Sequence, residues 1–389
     1  MGNVFSYFAP TRIFYGKGAL KNLEEYSQVW KRPLLVTFKE LIDFDFFQKI
    51  IKILKSSTKT DPIIFSEVKE NPSSELIMSG ADVANYNDVD VVIGIGGGSA
   101  IDSAKGIAIM KNNKGDILDY CFDPKLGRLR TEITSNILPI IAIPTTAGTG
   151  SEVTWGGVIS NPKNKIKEVF VSPDVAPSLA LVDPALTVSL PSSITIYTGI
   201  DALTQCIESF ISKNHHPISD TLALEGIKRA SSLPLVIKNP DDLEARLNMS
   251  ISATLSGMAM INTGVGAAHA LAMVLGGQYN IPHGLAISLV LREVLKYNFG
   301  AIDETRLSLL VGAWTDRSFK SGSSARDWFI NNIERLLDDL GVNTRLNEFG
   351  IEQSELRKIA SLACQHFDMV PNPRTPTVED IIGLLEKIL

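Results

Sequence analysis

The sequence predicts an α/β domain built on a parallel sheet over residues 1–184, followed by an all-α domain over residues 185–389. Three observations carry this reading. Short apolar runs alternate with amphipathic stretches in the first half, the pattern of a parallel sheet covered by helices. That alternation stops after Asp183-Pro184, beyond which apolar residues recur at three and four spacing. A glycine cluster closes one of the apolar runs and opens a helical stretch.

Taken in order, Leu34–Phe38 reads as a buried strand and Phe46–Leu54 as a helix. Ile63–Phe65, Val89–Ile95, Ile140–Ile143 and Leu179–Val182 read as further strands. In the second half, Ala202–Ile211, Ser219–Ala230, Ala245–Met260 and Ala267–Gly276 read as helices, within a mostly helical region from about Leu186 onward.

Bulk properties exclude several function classes. A chain of 389 residues suits two domains better than one. The net charge is −6 and the cations are scattered, which argues against a nucleic-acid surface. Met1 to Pro10 lacks the basic and apolar parts of a signal peptide. The longest apolar run, Ile137–Ile143, is interrupted by Pro139 and is too short to span a bilayer. The three cysteines, Cys121, Cys206 and Cys364, are too dispersed for a disulfide framework or a thiolate zinc site. A cytoplasmic protein is expected.

The glycine cluster is Gly94, Gly96, Gly97 and Gly98, with Ser99 placed to cap the helix that follows and Asp102 one turn inside it. Glycines let backbone N–H groups approach a pyrophosphate, and a helix N-terminus adds its positive end. Asp102 suits the helix dipole or a cofactor hydroxyl or amide. The spacing is not G-x-G-x-x-G, and a ligand-free strand-to-helix turn accounts for the cluster almost as well. A second loop after a strand carries the hydroxyls of Thr145, Thr146, Thr149 and Ser151. Two such loops at strand ends of one sheet favour a ligand site over two polar turns.

Five histidines are present. His269 and His283 have small or apolar neighbours, so burial is expected, whereas His215, His216 and His366 lie in polar stretches and read as surface residues. Asp201 shares a helix face with Gln205 four residues on. A buried carboxylate needs a partner. One carboxylate, one amide oxygen and two imidazoles could hold a divalent first-row metal. The same residues also fit hydrogen-bonded core histidines beside a helix-capping Asp201.

In these motifs the chain resembles the iron-containing (group III) alcohol dehydrogenase family, of the dehydroquinate-synthase-like fold. The likeness rests on Gly96-Gly-Gly-Ser-Ala-Ile-Asp-Ser-Ala-Lys105, Pro144-Thr-Thr-Ala-Gly-Thr-Gly-Ser-Glu152, Gly199-Ile-Asp-Ala-Leu203, and Gly264-Val-Gly-Ala-Ala-His269 leading to Pro282-His-Gly284. Asn71-Pro72 and Asn372-Pro-Arg374 add smaller echoes, and the likeness runs through essentially the whole chain.

The resemblance implies an NAD(P)(H)-dependent oxidoreductase acting on a small alcohol, aldehyde or ketone, assisted by Fe²⁺ or by Zn²⁺ or Mn²⁺, in a homodimer or higher homo-oligomer. The first domain would bind the cofactor and the helical domain the metal, with the substrate between. Gly96, Gly97, Gly98, Ser99 and Asp102 would meet the pyrophosphate region. Thr145, Thr146, Thr149 and Ser151 would meet phosphate, ribose or nicotinamide, and Lys167 a cofactor ribose. Asp201, Gln205, His269 and His283 would be the metal set, the two histidines also serving catalysis.

Two positions depart from the family. Gln205 stands where a histidine is usual, which puts metal affinity in question. Met273 stands four residues after His269, where the family usually has another histidine, so the final proton would come from water or a ribose hydroxyl. Phe38 occupies the place of an Asp common in NAD-preferring relatives, and Lys39 adds a cation; both lean toward NADP(H) or dual use. Trp155 and Phe210 are candidates to shape the pocket, as readily as to fill the core. Competing readings are a metal-free reductase similar to maleylacetate reductase, a dehydroquinate-synthase-like or glycerol-1-phosphate-type enzyme, and a non-catalytic cofactor-binding protein.

Overall fold

A computed structural model of the chain describes residues 4–124, 126–133, 136–315 and 322–389. Residues 1–3, which open the N-terminal segment read above, lie outside the described residues. The chain divides into two compact units, Ala9–Leu190 and Pro191–Leu389, the latter joined by the N-terminal residues up to Phe8.

Among the described residues the first unit holds ten strands. These are β1 (Arg12–Tyr15), β2 (Pro33–Thr37), β3 (Ile63–Phe65), β4 (Val91–Gly96), β5 (Phe122–Asp123), β6 (Arg128–Leu129), β7 (Ile140–Pro144), β8 (Gly156–Asn161), β9 (Ile166–Val171) and β10 (Leu179–Val182). Six of them form one sheet in the order β1-β10-β7-β4-β2-β3, and every pairing in it is parallel. β2, β4, β7 and β10 are buried along their whole length, as strands covered on both faces must be. Leu34, Val36 and Val92 pack with Ile77, Ala104 and Ile107 on one side. Leu35, Ile93 and Ile143 pack with Phe47, Ile50 and Leu54 on the other.

The order of the strands places the ligand edge. From β2 the chain moves outward to β3, then returns to the other side of β2 and continues β4, β7, β10. The direction reverses between β2 and β4, and open α/β sheets bind ligands at the carboxyl ends of strands at such a reversal. Phe38 and Gly97 follow the carboxyl ends of those two strands.

Among the described residues the regular elements of the second unit are all helices. Its long members are Ser192–Ile211, Pro217–Ala230, Leu243–Thr263, Ala267–Tyr279, His283–Asn298 and Gly322–Asp339. Among the described residues no single helix is long and apolar enough to cross a membrane.

Several expectations need adjustment. The strand β1 and the hairpin β8–β9 were not expected. Helix Ser192–Ile211 starts well before Ala202, so Asp201 lies inside it and caps nothing. His216 is buried: it is the N-cap of helix Pro217–Ala230, where its ring nitrogen accepts from Ser219 N. Phe210 is core, fully buried beneath the Arg306 guanidinium.

Candidate active site

In the α/β unit Phe38, Lys39 and the glycine loop lie at the carboxyl ends of β2 and β4, the loop Thr145–Ser151 follows the neighbouring β7, and Lys167 stands apart in the β8–β9 hairpin. β4 runs straight into Gly97, the N-cap of helix Gly98–Met110. Ser99 is therefore inside the helix and does not cap it. Among the described residues no side chain caps this helix. Ala100 N and Ile101 N turn back to Gly97 O, which leaves the first two N–H groups, of Gly98 and Ser99, without an intrahelical acceptor and available to an anion.

Gly96 has φ +144, a conformation that side-chain-bearing residues rarely adopt. A Cβ there would also stand 3.2 Å from the Phe38 ring. A Cβ on Gly98 would come within 2.7 Å of Thr149 Cγ2. The loop after β7 is thus seated on the loop after β4. Thr145 N donates to Gly96 O at 2.9 Å, which ties the two together.

Asp102 is held from within the protein. Its Oδ1 accepts from Ser151 Oγ at 2.5 Å and its Oδ2 from Val158 N at 2.9 Å. Lys105, one turn further on, is wholly buried and donates to Ser151 Oγ, Thr154 Oγ1 and Gly156 O. Sequence reasoning quoted Lys105 in a motif and gave it no role. A lysine followed directly by the apolar run Gly106–Met110 was the available signal. Lys39 is exposed just after β2, and Lys167 lies partly buried on β9.

In the helical unit, Asp201, His269 and His283 each offer one ligand atom, and the three atoms lie within 4.8 Å of one another. Asp201 Oδ1 is 3.4 Å from His269 Nε2 and 3.7 Å from His283 Nε2. Ligands at about 2.0–2.1 Å around a tetrahedral ion stand roughly 3.3–3.5 Å apart, so the Asp201–His269 separation matches two atoms sharing one ion and the Asp201–His283 separation is slightly longer. Asp201 Oδ1 and His269 Nε2 are buried with no hydrogen-bond partner among the described residues. Two orphaned polar atoms facing one point are costly without a cation between them.

The far side of His269 is fixed. Its Nδ1 lies 2.6 Å from Glu208 Oε2. Glu208 also accepts from Gly266 N and Ala268 N, and Asn372 Oδ1 accepts from Ala267 N. A carboxylate therefore sits at the N-terminus of helix Ala267–Tyr279, where the helix dipole favours it. With Nδ1–H donating to Glu208, Nε2 is the ring atom turned toward Asp201 and His283, as for a ligating histidine.

The charge of the cluster agrees. Burial disfavours the charged form of Asp201, yet the two imidazoles outweigh it and hold the carboxyl below its ordinary value. Burial likewise disfavours a charge on His269, and the Asp201 and Glu208 carboxylates outweigh it and raise the pKa to about 10. The cluster demands positive charge, which a divalent ion would also supply.

Gln205 has a different part from the one its position suggested. Asp201 Oδ2 can only accept, so the amide atom 3.0 Å from it is the nitrogen. The amide oxygen accepts from Ser256 Oγ at 2.6 Å instead. The expected fourth ligand thus holds Asp201 in place and turns no oxygen toward the other three. Met273 is buried and carries no ionisable proton. Glu208 was missed by sequence reasoning, although it lies seven residues after Asp201 and so on the same helix face.

A switch-point cradle on a parallel sheet and a convergent carboxylate–imidazole set that could hold a metal ion fit one class, the nicotinamide-dependent dehydrogenases. Comparison with known proteins agrees. Residues 10–184 match the iron-containing alcohol dehydrogenase family, and residues 195–389 match the C-terminal region of the same family. The chain belongs to the iron-containing alcohol dehydrogenase family, and it is an oxidoreductase that moves a hydride between a nicotinamide cofactor and an alcohol–carbonyl pair.

Its relatives include a 1,3-propanediol dehydrogenase of Citrobacter freundii, 33% identical over 99% of this chain and 98% of that protein. An NAD-dependent methanol dehydrogenase of Bacillus methanolicus is 30% identical over 99% and 100%. The solved structure of a 1,3-propanediol oxidoreductase superposes with a TM-score of 0.93 at 31% identity, covering 100% of both chains. An alcohol dehydrogenase from Oenococcus oeni gives 0.92 at 30%, covering 99% of this chain and 100% of its own.

Proposed function

We propose that this protein interconverts a small primary alcohol and its aldehyde, using a divalent metal held by Asp201, His269 and His283. The observation that carries this reading is the shared point faced by Asp201 Oδ1, His269 Nε2 and His283 Nε2, with Glu208 fixing the tautomer of His269. Relatives named for 1,3-propanediol and for methanol support a short-chain substrate.

Oxidation of the alcohol to the aldehyde releases a hydride equivalent and a proton, the proton passing to solvent. When bound, the metal would supply Lewis-acid stabilisation of charge on the substrate oxygen, and the nicotinamide the hydride acceptor. The protein's own contribution is placement. The uncapped helix N-terminus at Gly97 and Gly98 would receive the pyrophosphate, and Thr145, Thr146 and Thr149 would line the same loop pair. Glu208 and Gln205 would hold the ligand atoms of His269 and Asp201. Met273 offers no proton relay, so proton exchange falls to water or a ribose hydroxyl.

Phe38 packs against Gly96 at the end of β2, and Lys39 next to it is an exposed cation. That pair supports use of NADP(H), alone or beside NAD(H).

One observation favours a second reading. Gln205 turns its nitrogen, not its oxygen, toward Asp201, so a metal would have three protein ligands. In a metal-free enzyme, His269 and His283 would instead donate hydrogen bonds to the carbonyl. Reduction of a panel of short aldehydes by NADH and NADPH, with metal-free protein and after adding Fe²⁺, Zn²⁺ or Mn²⁺, separates the readings. Metal-stimulated turnover supports the first. Full turnover without metal supports the second. No turnover of any aldehyde under any condition defeats both.

A further inference from the structure

The segment Asn372-Pro-Arg374 has no part in the function proposed above, yet its asparagine is wholly buried. Two backbone groups fix how the amide is turned. Ala267 N can only donate, so the atom 3.0 Å from it is the amide oxygen. Arg374 O can only accept, so the atom 2.6 Å from it is the amide nitrogen. The remaining lone pair and proton meet the amide of Asn298 in a reciprocal pair, at 2.8 and 2.9 Å. Two acceptor places and two donor places are thereby filled. An aspartate, a serine or a leucine could not fill all four.

The partners of this amide belong to the two helices that carry the metal-site histidines. Asn298 ends helix His283–Asn298, which His283 begins. Ala267 begins helix Ala267–Tyr279, and His269 is its third residue. At the start of that helix three successive N–H groups are divided between two side chains. Glu208 accepts from Gly266 N and Ala268 N, and Asn372 accepts from Ala267 N between them. The two acceptors are crowded together: a Cβ on Gly266 would stand 2.7 Å from Asn372 Oδ1 and 2.9 Å from Glu208 Oε1. A second carboxylate there would repel Glu208, and a neutral amide oxygen does not.

The residues on either side of Asn372 close on the same region. A Cβ on Gly264 would come within 2.7 Å of Pro371 Cγ, and Pro371 O accepts from Lys213 N at 2.8 Å. The Arg374 guanidinium lies 4.0 Å over the Tyr297 ring and donates to Tyr297 O. Pro371–Arg374 is thus a clasp on the turn that leads into the His269 helix. That turn matters because Glu208 Oε2 is shared between Gly266 N and His269 Nδ1. If the turn shifts, Glu208 must give up one of the two.

We infer that Asn372 is a positioning residue for the metal centre: by holding Ala267 N it fixes the turn Gly264–Ala267, and through that turn the Glu208 carboxylate that orients His269. This inference rests on the metal site proposed above.

The test is Zn²⁺ binding to the full chain, by competition with a chromophoric chelator at a temperature well below melting, beside thermal melts. The proteins compared are the native chain, Asn372→Ala and Asn298→Ala. Both substitutions break the reciprocal amide pair, so both should lower the melting temperature. Only Asn372→Ala takes the acceptor from Ala267 N, since in Asn298→Ala the Asn372 amide keeps Ala267 N and Arg374 O. Zn²⁺ affinity should therefore fall by about ten-fold in Asn372→Ala, the lower end of what loss of an outer partner costs a metal ligand, and stay native in Asn298→Ala. A hub that only supports the fold would lower both melting temperatures and neither affinity. Should Asn372→Ala fail to fold, Gly266→Ala sets a methyl group against Asn372 Oδ1 and Glu208 Oε1, and should weaken Zn²⁺ binding by about the same factor. Native affinity in Asn372→Ala, or in Gly266→Ala where the first does not fold, overturns the role of Asn372 and leaves the metal site standing. An equal loss in Asn298→Ala does the same. Absence of Zn²⁺ binding by the native protein removes the site itself, and the inference with it.

Discussion

Glu208 Oε2 lies 2.6 Å from His269 Nδ1, while Asp201 Oδ1 lies 3.4 Å from Nε2 of the same ring. One imidazole is thus held between a carboxylate that orients it and a carboxylate that faces the same point as its lone pair. Outer partners of this kind commonly change metal affinity by about 10–100-fold when removed. Glu208→Gln should weaken Zn²⁺ or Mn²⁺ binding by about that factor, measured in competition with a chromophoric chelator. Glu208→Ala should also lower stability, by about 1–3 kcal/mol for each buried N–H left without an acceptor at Gly266 and Ala268. Native metal affinity in Glu208→Gln would show that His269 needs no such support.

Gln205 gives a prediction of opposite sign. Gln205→His adds an imidazole beside the three convergent atoms, and nitrogen is a better donor than an amide to Fe²⁺ or Zn²⁺. Metal content after purification should rise. Gln205→Leu removes the donor at 3.0 Å from Asp201 Oδ2 and leaves Ser256 Oγ bonded to Ala253 O alone, and it should lower metal affinity. Equal metal content in all three proteins, by elemental analysis, would refute a part for Gln205 in holding Asp201.

How much of this could be read from the sequence depends on how local each signal was. Ile63–Phe65 and Leu179–Val182 form strands with the expected bounds, because a short apolar run between turn residues is a local signal. β1 and the hairpin β8–β9 were illegible: Arg12–Tyr15 is half exposed, and Gly156–Asn161 opens on two glycines. Asp201, His269 and His283 were legible as a group through motif and apolar context. Glu208 and Lys105 were not, since each looked like an ordinary charge until the fold gave it partners. His216 misled because its neighbours are polar, whereas its burial comes from its place as a helix cap. The turn of the Gln205 amide is set by Ser256, 51 residues away, and no local pattern could reveal it.

The glycine pair makes a further prediction. The clash that a Cβ on Gly98 meets is with Thr149, at 2.7 Å from Cγ2 and 2.8 Å from Oγ1. Gly98→Ala should therefore displace the second loop, cost about 1–3 kcal/mol of stability through overpacking, and weaken cofactor binding. Thr149→Ala in the same protein removes both offending atoms and should recover most of the lost stability. Failure of the second change to recover any would place the strain elsewhere.

Cofactor choice should respond to Lys39. Lys39→Glu puts a negative charge beside Phe38, at the end of β2, where a 2′-phosphate would lie. The ratio of kcat/KM for NADPH over NADH should fall by at least about ten-fold, as expected from reversing a charge at this distance. A ratio that already favours NADH strongly in the native protein, and does not move in Lys39→Glu, would contradict the lean to NADP(H).

Metal dependence bears most directly on the central claim, that Asp201, His269 and His283 hold a catalytic ion. The measurement is aldehyde reduction by chelator-treated protein before and after addition of Fe²⁺, Zn²⁺ or Mn²⁺, with bound metal quantified in the same samples. The account predicts little activity in the metal-free protein, recovery in proportion to bound metal, and neither binding nor recovery in Asp201→Ala. Full activity from protein with no measurable metal would contradict it.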